Sequence, residues 1–582
     1  MDLVKRTGPE VAFPAIRSMV LRALEPHALL IAACIALVAY LALVPLGFLA
    51  WQSVHAPRGP GADTAFTLRN YAIALSNAQA GPLFANSLLF ASGSAAFAFV
   101  LGTALAWLNE RTNMPFKRAF FALALAPLVI PGLLFAVAWM LLASPRIGVV
   151  NLLLQRWLET DFVFVDVYSL AGMIFVDGLH YSPMAFLMMG AAFRTMDPAL
   201  EEAALIAGAS RWQAFLRVVL PLARPAAFAT LLLVFVRAIE SFEVPALIGL
   251  PAGVPVFTSA IYDAVHRYPS RIGLASAYAV VLFALAAIGL WLQARIAARG
   301  AAYATTTGRS GSSMLVDLGR GRYLAAAFFF AYLALVVLLP FAVLAWSSLQ
   351  TFYSVPSAEA IDRVSLEPYR SLLDHPAIGR ALVNSVVLAI AAATTVVAMS
   401  TVIAWIVARS HSSARSLLDV LATSPVAIPG VVLGLALMVF HLEAPVGLYG
   451  TLGILYVAYV TRFLPYGVRY ASSSILAIHP ELEEVAATHG ASWLTTLRRV
   501  LLPLMRPALV AAWIHVAIVS MRELGSSVLL YAPGTEVMSV VIWELWENGQ
   551  YGELSALGVL FIVTLVVLVA LARPLRERPV AA

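Results

Sequence analysis

The chain has 582 residues, 62% of them from the apolar and aromatic set and only 12% charged, against about 45–50% and about 25% in soluble domains. That excludes a soluble enzyme, because no globular core absorbs so much apolar surface and lipid must be the solvent for most of the chain. In such a chain the net charge of +6 points to cytoplasmic loops rather than to nucleic acid.

The first 27 residues carry Lys5, Arg6, Arg17 and Arg22 and read as a cytoplasmic tail, since the apolar stretch behind them is too long for a cleaved signal. Stretches long enough to cross a bilayer then recur twelve times. Six are expected near 28–51, 84–108, 119–142, 169–192, 226–249 and 273–294. Six more follow near 323–347, 383–408, 417–441, 451–472, 507–531 and 554–572. With the tail inside, loops that alternation makes cytoplasmic hold 24 of the 37 Lys and Arg, and the outside loops hold 9. This bias places both termini in the cytoplasm. The single cysteine, Cys34, excludes an intrachain disulfide or cysteine metal cluster. Neither Lys5 nor Lys117 completes a G-x-x-x-x-G-K-[ST] phosphate loop, so any ATP that drives the protein is hydrolysed by another subunit.

The chain is duplicated. Asn86-Ser87 matches Asn384-Ser385, Ala106-Trp107 matches Ala404-Trp405, and A-P-L-V-I-P-G from Ala126 matches S-P-V-A-I-P-G from Ser424, all at an offset of 298. Pro183 and Pro198 match Pro465 and Pro480 at an offset of 282, so about 16 extra residues lie in the first copy, around 143–168. The expected organisation is a first half, 1–300, a polar linker, 301–322, and a second half, 323–582, with both halves in the same orientation.

The best preserved segment is a loop on the cytoplasmic side. Residues 198–225 and 480–507 are identical at 15 of 28 positions without a gap. Pro198 and Pro480 suit a first helical turn, followed by Glu201, Glu202, Glu483 and Glu484 at the positive end of the helix dipole. Gly208 and Gly490 are placed to end that helix at positive φ, and Ser210 and Ser492 to cap the next one. The second helix is expected to be interrupted at Leu220-Pro221 and Leu502-Pro503.

This pattern resembles the EAA loop of binding-protein-dependent ABC importer permeases. Glu202-Ala203-Ala204, Gly208, Leu220 and Pro221 match it fully, and Glu484-Val485-Ala486, Gly490, Leu502 and Pro503 match with Val485 as the one departure. The chain length and E-V-P-A-L-I-G-L-P-A-G-V-P-V-F from Glu243 are similar to the ferric iron transport permeases of that group. The resemblance implies an all-α, type I ABC importer permease of the MetI-like fold, with two six-helix repeats in the bacterial inner membrane. It implies that residues 201–204, 208, 220–221, 483–486, 490 and 502–503 dock two copies of an ATP-binding subunit. ATP and Mg would belong to those subunits, and a periplasmic binding protein would deliver the cargo by alternating access.

Charged residues within spans are functional candidates by default. Asp177, Arg237, Glu240, Glu243, Arg522 and Glu523 are the pathway candidates, with His180, Arg462 and Arg469 also in spans. Arg237 and Glu240, three apart on a helix, are equally able to pair with each other. The mixed signs leave cargo charge open, so ferric iron stands beside polyamine, thiamine, phosphonate and sulfate. A proton-coupled secondary transporter, which also uses parallel repeats, is the rival class; it would need no duplicated docking loop.

Overall fold

The computed structural model describes residues 26–55, 65–76, 80–196, 198–301, 315–410, 412–443 and 447–577. The expected amino-terminal tail and most of the linker lie outside them. The described residues are helical apart from connections and two isolated β-bridges.

The first half holds α1 (Pro26–Ser53), α2 (Ala80–Arg111), a bent α3 (Lys117–Leu128 with Gly132–Ala143), α4 (Leu170–Thr195), α5 (Leu216–Ile239) and α6 (Ile272–Ala301). The second half repeats the series. It holds α7 (Gly321–Ser347), α8 (Pro376–Arg409), a bent α9 (Ala414–Ala427 with Gly430–Glu443), α10 (Leu452–Leu476), α11 (Trp493–Met521) and α12 (Tyr551–Glu577). Among the described residues, nine of these are single helices long and apolar enough to cross a bilayer, and the two bent pairs bring the number to eleven. α10, which carries Arg462 and Arg469, is the less apolar twelfth.

Three expectations about the spans need correction. The third and ninth are not straight crossings, because their halves meet at 96° and 107°. The cause is the shared I-P-G: a proline pushes the residue before it out of the α region, and Ile428 has φ −94°, ψ 109°. The fifth and eleventh spans end earlier than expected, at Ile239 and Met521. The chain then turns back through the short helices Phe257–His266 and Met538–Glu547. Finally, Pro221 and Pro503 do not interrupt their helices. Each follows a five-residue π-turn, Phe215–Val219 or Leu497–Leu501, whose wider hydrogen-bond register accommodates a residue with no N–H to donate.

The Asn-Ser pairs secure these returning segments identically. Asn86 Nδ2 donates to Pro255 O at 3.4 Å, and Ser87 Oγ accepts from Phe257 N at 3.0 Å. Asn384 Nδ2 donates to Glu536 O at 2.9 Å, and Ser385 Oγ accepts from Met538 N at 2.8 Å. Buried backbone groups in lipid must find such partners inside the protein. α2 and α4 come close enough that a Cβ on Gly102 would meet Ser182 O at 2.6 Å, and Gly467 lets α10 approach α8 in the same way.

The first helix of each half crosses to the other half. α1 packs on α9 and α6, while α7 packs on α3 and α12. Aromatic side chains fill both exchanges: Phe48 meets Phe440 at 4.9 Å, and Phe120 stacks on Phe329 at 4.9 Å. The two repeats are therefore interlocked, and the space between them is fixed by elements of both.

Candidate functional site

Two features stand out: a pair of loop helices at one end of the bundle, and a charged cavity between the halves.

The loop helices are Pro198–Ile206 and Glu481–Thr488. Gly208 and Gly490 end them with φ of +86° and +75°, the conformation in which glycine alone carries no steric penalty. The backbone closes alike in both: Ala209 N donates to Ala204 O, and Ala491 N donates to Ala486 O, each at 3.0 Å. Ser210 Oγ and Ser492 Oγ then accept from Gln213 N and Thr495 N at 3.2 and 3.4 Å, capping the next helix.

Within the acidic pair the two glutamates have different surroundings. Glu201 Oε2 accepts from Arg111 Nη2 at 2.7 Å, and Glu483 Oε1 accepts from Arg409 Nε at 2.6 Å. Arg111 and Arg409 are the last residues of α2 and α8. Trp405 of the matched Ala-Trp pair adds a hydrogen bond from Nε1 to Glu483 Oε2 at 3.1 Å. Glu201 and Glu483 thus tether the loop helices to the bundle. Glu202, Glu484, Ala203 and Val485 face outward, with Ile206 at 88% exposure, while Ala204 and Ala486 are half-buried. Leu220-Pro221 and Leu502-Pro503 lie beyond the π-turns, at the base of α5 and α11.

The cavity, of about 310 Å³, is lined by all six pathway candidates, Asp177, Arg237, Glu240, Glu243, Arg522 and Glu523, together with His180 and Arg462. Arg469 is exposed and does not line it. Sequence reading missed Tyr181, Tyr466 and His515, which also line it.

Most of the charge is internally balanced. Arg237 Nη1 lies 3.3 Å from Glu240 Oε2, and its Nη2 donates to Tyr466 OH at 2.8 Å in the other half. Arg462 Nε pairs with Glu523 Oε2 at 3.1 Å, and Glu523 Oε1 also accepts from Ser526 N and Oγ. Arg522 Nη1 reaches across to Leu128 O at 2.6 Å and Ile130 O at 3.5 Å, carbonyls freed by the break in α3. Ser241 Oγ donates to Asp177 Oδ1 at 2.8 Å. Phe242, which lines the cavity, packs against the buried rings of Tyr262 and Trp543, the three lying 5.4–5.5 Å apart. Tyr262 OH donates there to Glu547 Oε1 at 2.8 Å.

The glycines of the two I-P-G breaks face this cavity. A Cβ on Gly132 would sit 3.6 Å from both the Glu243 carboxyl carbon and His180 Nε2. One on Gly430 would overlap the Arg462 guanidinium and lie 3.1 Å from Glu523 Oε1. Omitting the side chain lets charged groups rest directly against the broken backbone.

Residues 97–302 and 400–577 match the family described as binding-protein-dependent transport system inner membrane component. The chain is 24% identical over 472 residues to the ferric transport system permease protein FbpB of Actinobacillus pleuropneumoniae, covering 79% of this chain and 66% of that one. The Fe(3+)-transport system permease protein FbpB 2 of Haemophilus influenzae is 24% identical over 465 residues, covering 79% and 83%. A protein of Salmonella paratyphi A named for 2-aminoethylphosphonate transport is 36% identical, but over 121 residues, 21% of this chain and 46% of its own.

Proposed function

Because the chain belongs to the family of binding-protein-dependent transport system inner membrane components, which are membrane-embedded transport subunits and not enzymes, we propose that it is a two-half permease of an ATP-driven ferric iron importer. The observation that carries this reading is the pair of loop helices, built alike in both halves and presenting Glu202, Ala203, Glu484 and Val485 outward. A secondary transporter has no use for two such surfaces.

In this reading each loop helix seats in a groove of one ATP-binding subunit, so one chain engages two copies that carry the ATP and Mg. Their closure draws the loops together. The Arg111–Glu201 and Arg409–Glu483 pairs pass that movement to α2 and α8. The cavity then alternates between a loaded periplasmic binding protein and the cytoplasm, where both termini and the 301–322 linker lie. The two halves are residues 1–300 and 323–582. Ferric iron is favoured over phosphonate because the ferric-named relatives align with most of this chain, the phosphonate-named one with about a fifth.

The test is uptake of radioactive ferric iron into proteoliposomes holding the chain with its ATP-binding subunits and loaded binding protein. Uptake that needs ATP and survives collapse of the proton gradient supports the proposal. Uptake driven by the proton gradient without ATP refutes the mechanism, and ATP-driven uptake of 2-aminoethylphosphonate in place of iron refutes the cargo.

A further inference from the structure

The connection between the third and fourth spans is long in the first copy and short in the second. α9 joins α10 through residues 444–451, whereas α3 joins α4 through residues 144–169. α4 runs from Leu170 to Thr195, directly ahead of the first loop helix. Its 26 residues rise about 39 Å, against about 30 Å of hydrocarbon. The long connection therefore lies at headgroup level, on the face opposite the loop helices.

This connection is built inside out. Its helix, Val149–Leu158, buries Asn151 completely, while Leu153, Trp157, Leu158, Phe162 and Phe164 are exposed, Trp157 at 79% and Phe162 at 65%. Asn151 Nδ2 donates to Ser144 O at 3.0 Å and to Val165 O at 2.6 Å, and its Oδ1 accepts from Phe164 N at 3.0 Å and Val165 N at 2.9 Å. Gln155 Nε2 donates to Phe162 O at 3.2 Å. Tyr353 OH, from the second half, lies 2.8 Å from both Leu141 O and Ile147 O and fastens the base. Polar groups hold the segment in shape, and the apolar ones face out.

An aromatic surface presented in this way calls for permanent cover. A delivering protein that binds and leaves would return it to water in every cycle, whereas the bilayer is continuous with it and aromatic rings favour this depth. The charges agree. Residues 144–168 carry Arg146 and Arg156 against Glu159, Asp161 and Asp166, so anionic headgroups gain no hold and apolar contact has to supply it.

We propose that residues 149–165 form an interfacial platform seated in the outer leaflet, with Trp157, Phe162 and Phe164 among the upper acyl chains, and that it anchors the first half alone. The anchor is independent of the cargo.

The experiment is a nitroxide depth measurement on the full chain in phosphatidylcholine proteoliposomes, with Cys34→Ala removing the native thiol. One label is placed at Trp157→Cys, Phe162→Cys or Phe164→Cys. Val100→Cys, exposed midway along α2, is the bilayer reference, and Arg363→Cys, exposed between α7 and α8, is the water reference. Collision rates with oxygen and with an aqueous nickel chelate should place the three labels about 5–10 Å inside the headgroup boundary. Adding phosphatidylglycerol or the loaded binding protein should leave that depth unchanged. The replaced side chains are exposed, and thermal unfolding confirms that each variant folds. Labels as open to nickel as Arg363→Cys overturn the proposal, as does a depth reached only with phosphatidylglycerol. Nickel access lost only when the binding protein is added also overturns it, and makes the patch that protein's docking surface.

Discussion

Gly208 and Gly490 allow a clean test of whether loop geometry governs docking. Both sit at positive φ, +86° and +75°, and a Cβ at either would meet nothing within 4 Å. Alanine there introduces no clash, only the left-handed penalty of about 1–2 kcal/mol per residue. That is a factor of about 5–30 in the population of the closed turn. If an ATP-binding subunit recognises that turn, Gly208→Ala or Gly490→Ala weakens docking by about that factor. The double variant approaches the product, since separate sites add. Asparagine, which tolerates the left-handed region, should retain most of the affinity. The assay is the dissociation constant between the chain in nanodiscs and the ATP-binding subunit, with thermal stability in parallel. Alanine variants that bind normally would refute the reasoning, as would an asparagine variant no better than alanine.

Other predictions follow from the same geometry. Glu201→Ala leaves Arg111, whose side chain is 4% exposed, without its carboxylate partner and should destabilise the first half by about 3–5 kcal/mol, whereas Asp263→Ala at the exposed Arg267 pair should cost under about 1 kcal/mol; thermal unfolding in detergent compares them. Gly430→Ala should displace Arg462 from Glu523 and lower stability and uptake together, while Gly132→Ala, with its Cβ at ordinary contact distance, should fold normally; equal behaviour of the two would contradict the described packing. Asn384→Ala strips a donor from the Glu536 carbonyl and should cost about 1–3 kcal/mol, read as a lowered unfolding temperature.

Much of this was legible in the sequence because duplication turned weak signals into paired ones. The loop glycines, the capping serines and the Asn-Ser pairs each recur, and each proves to be a local hydrogen-bonding device that depends on residue identity. What hydropathy could not convey was depth and direction. The I-P-G segments lie inside runs as apolar as true crossings, so hydropathy does not reveal their bends; the helices Phe257–His266 and Met538–Glu547 are ten residues each and carry Asp263, His266, Glu544 and Glu547, too short and too polar to register as spans. Residues such as Tyr466 and His515 gave no signal, since a tyrosine or histidine in an apolar run is ordinary until its neighbours are known. The role of Glu201 and Glu483 was likewise hidden, because their arginine partners lie 90 and 74 residues away in the chain.

The account turns on one chain presenting two docking surfaces. Its most direct test is the native mass of the complex formed with the ATP-binding subunit, for the unaltered chain and for Gly208→Asp. Two ATP-binding subunits per chain, falling to one in the variant, is the predicted result. A single bound subunit in the unaltered chain, or none, would contradict it.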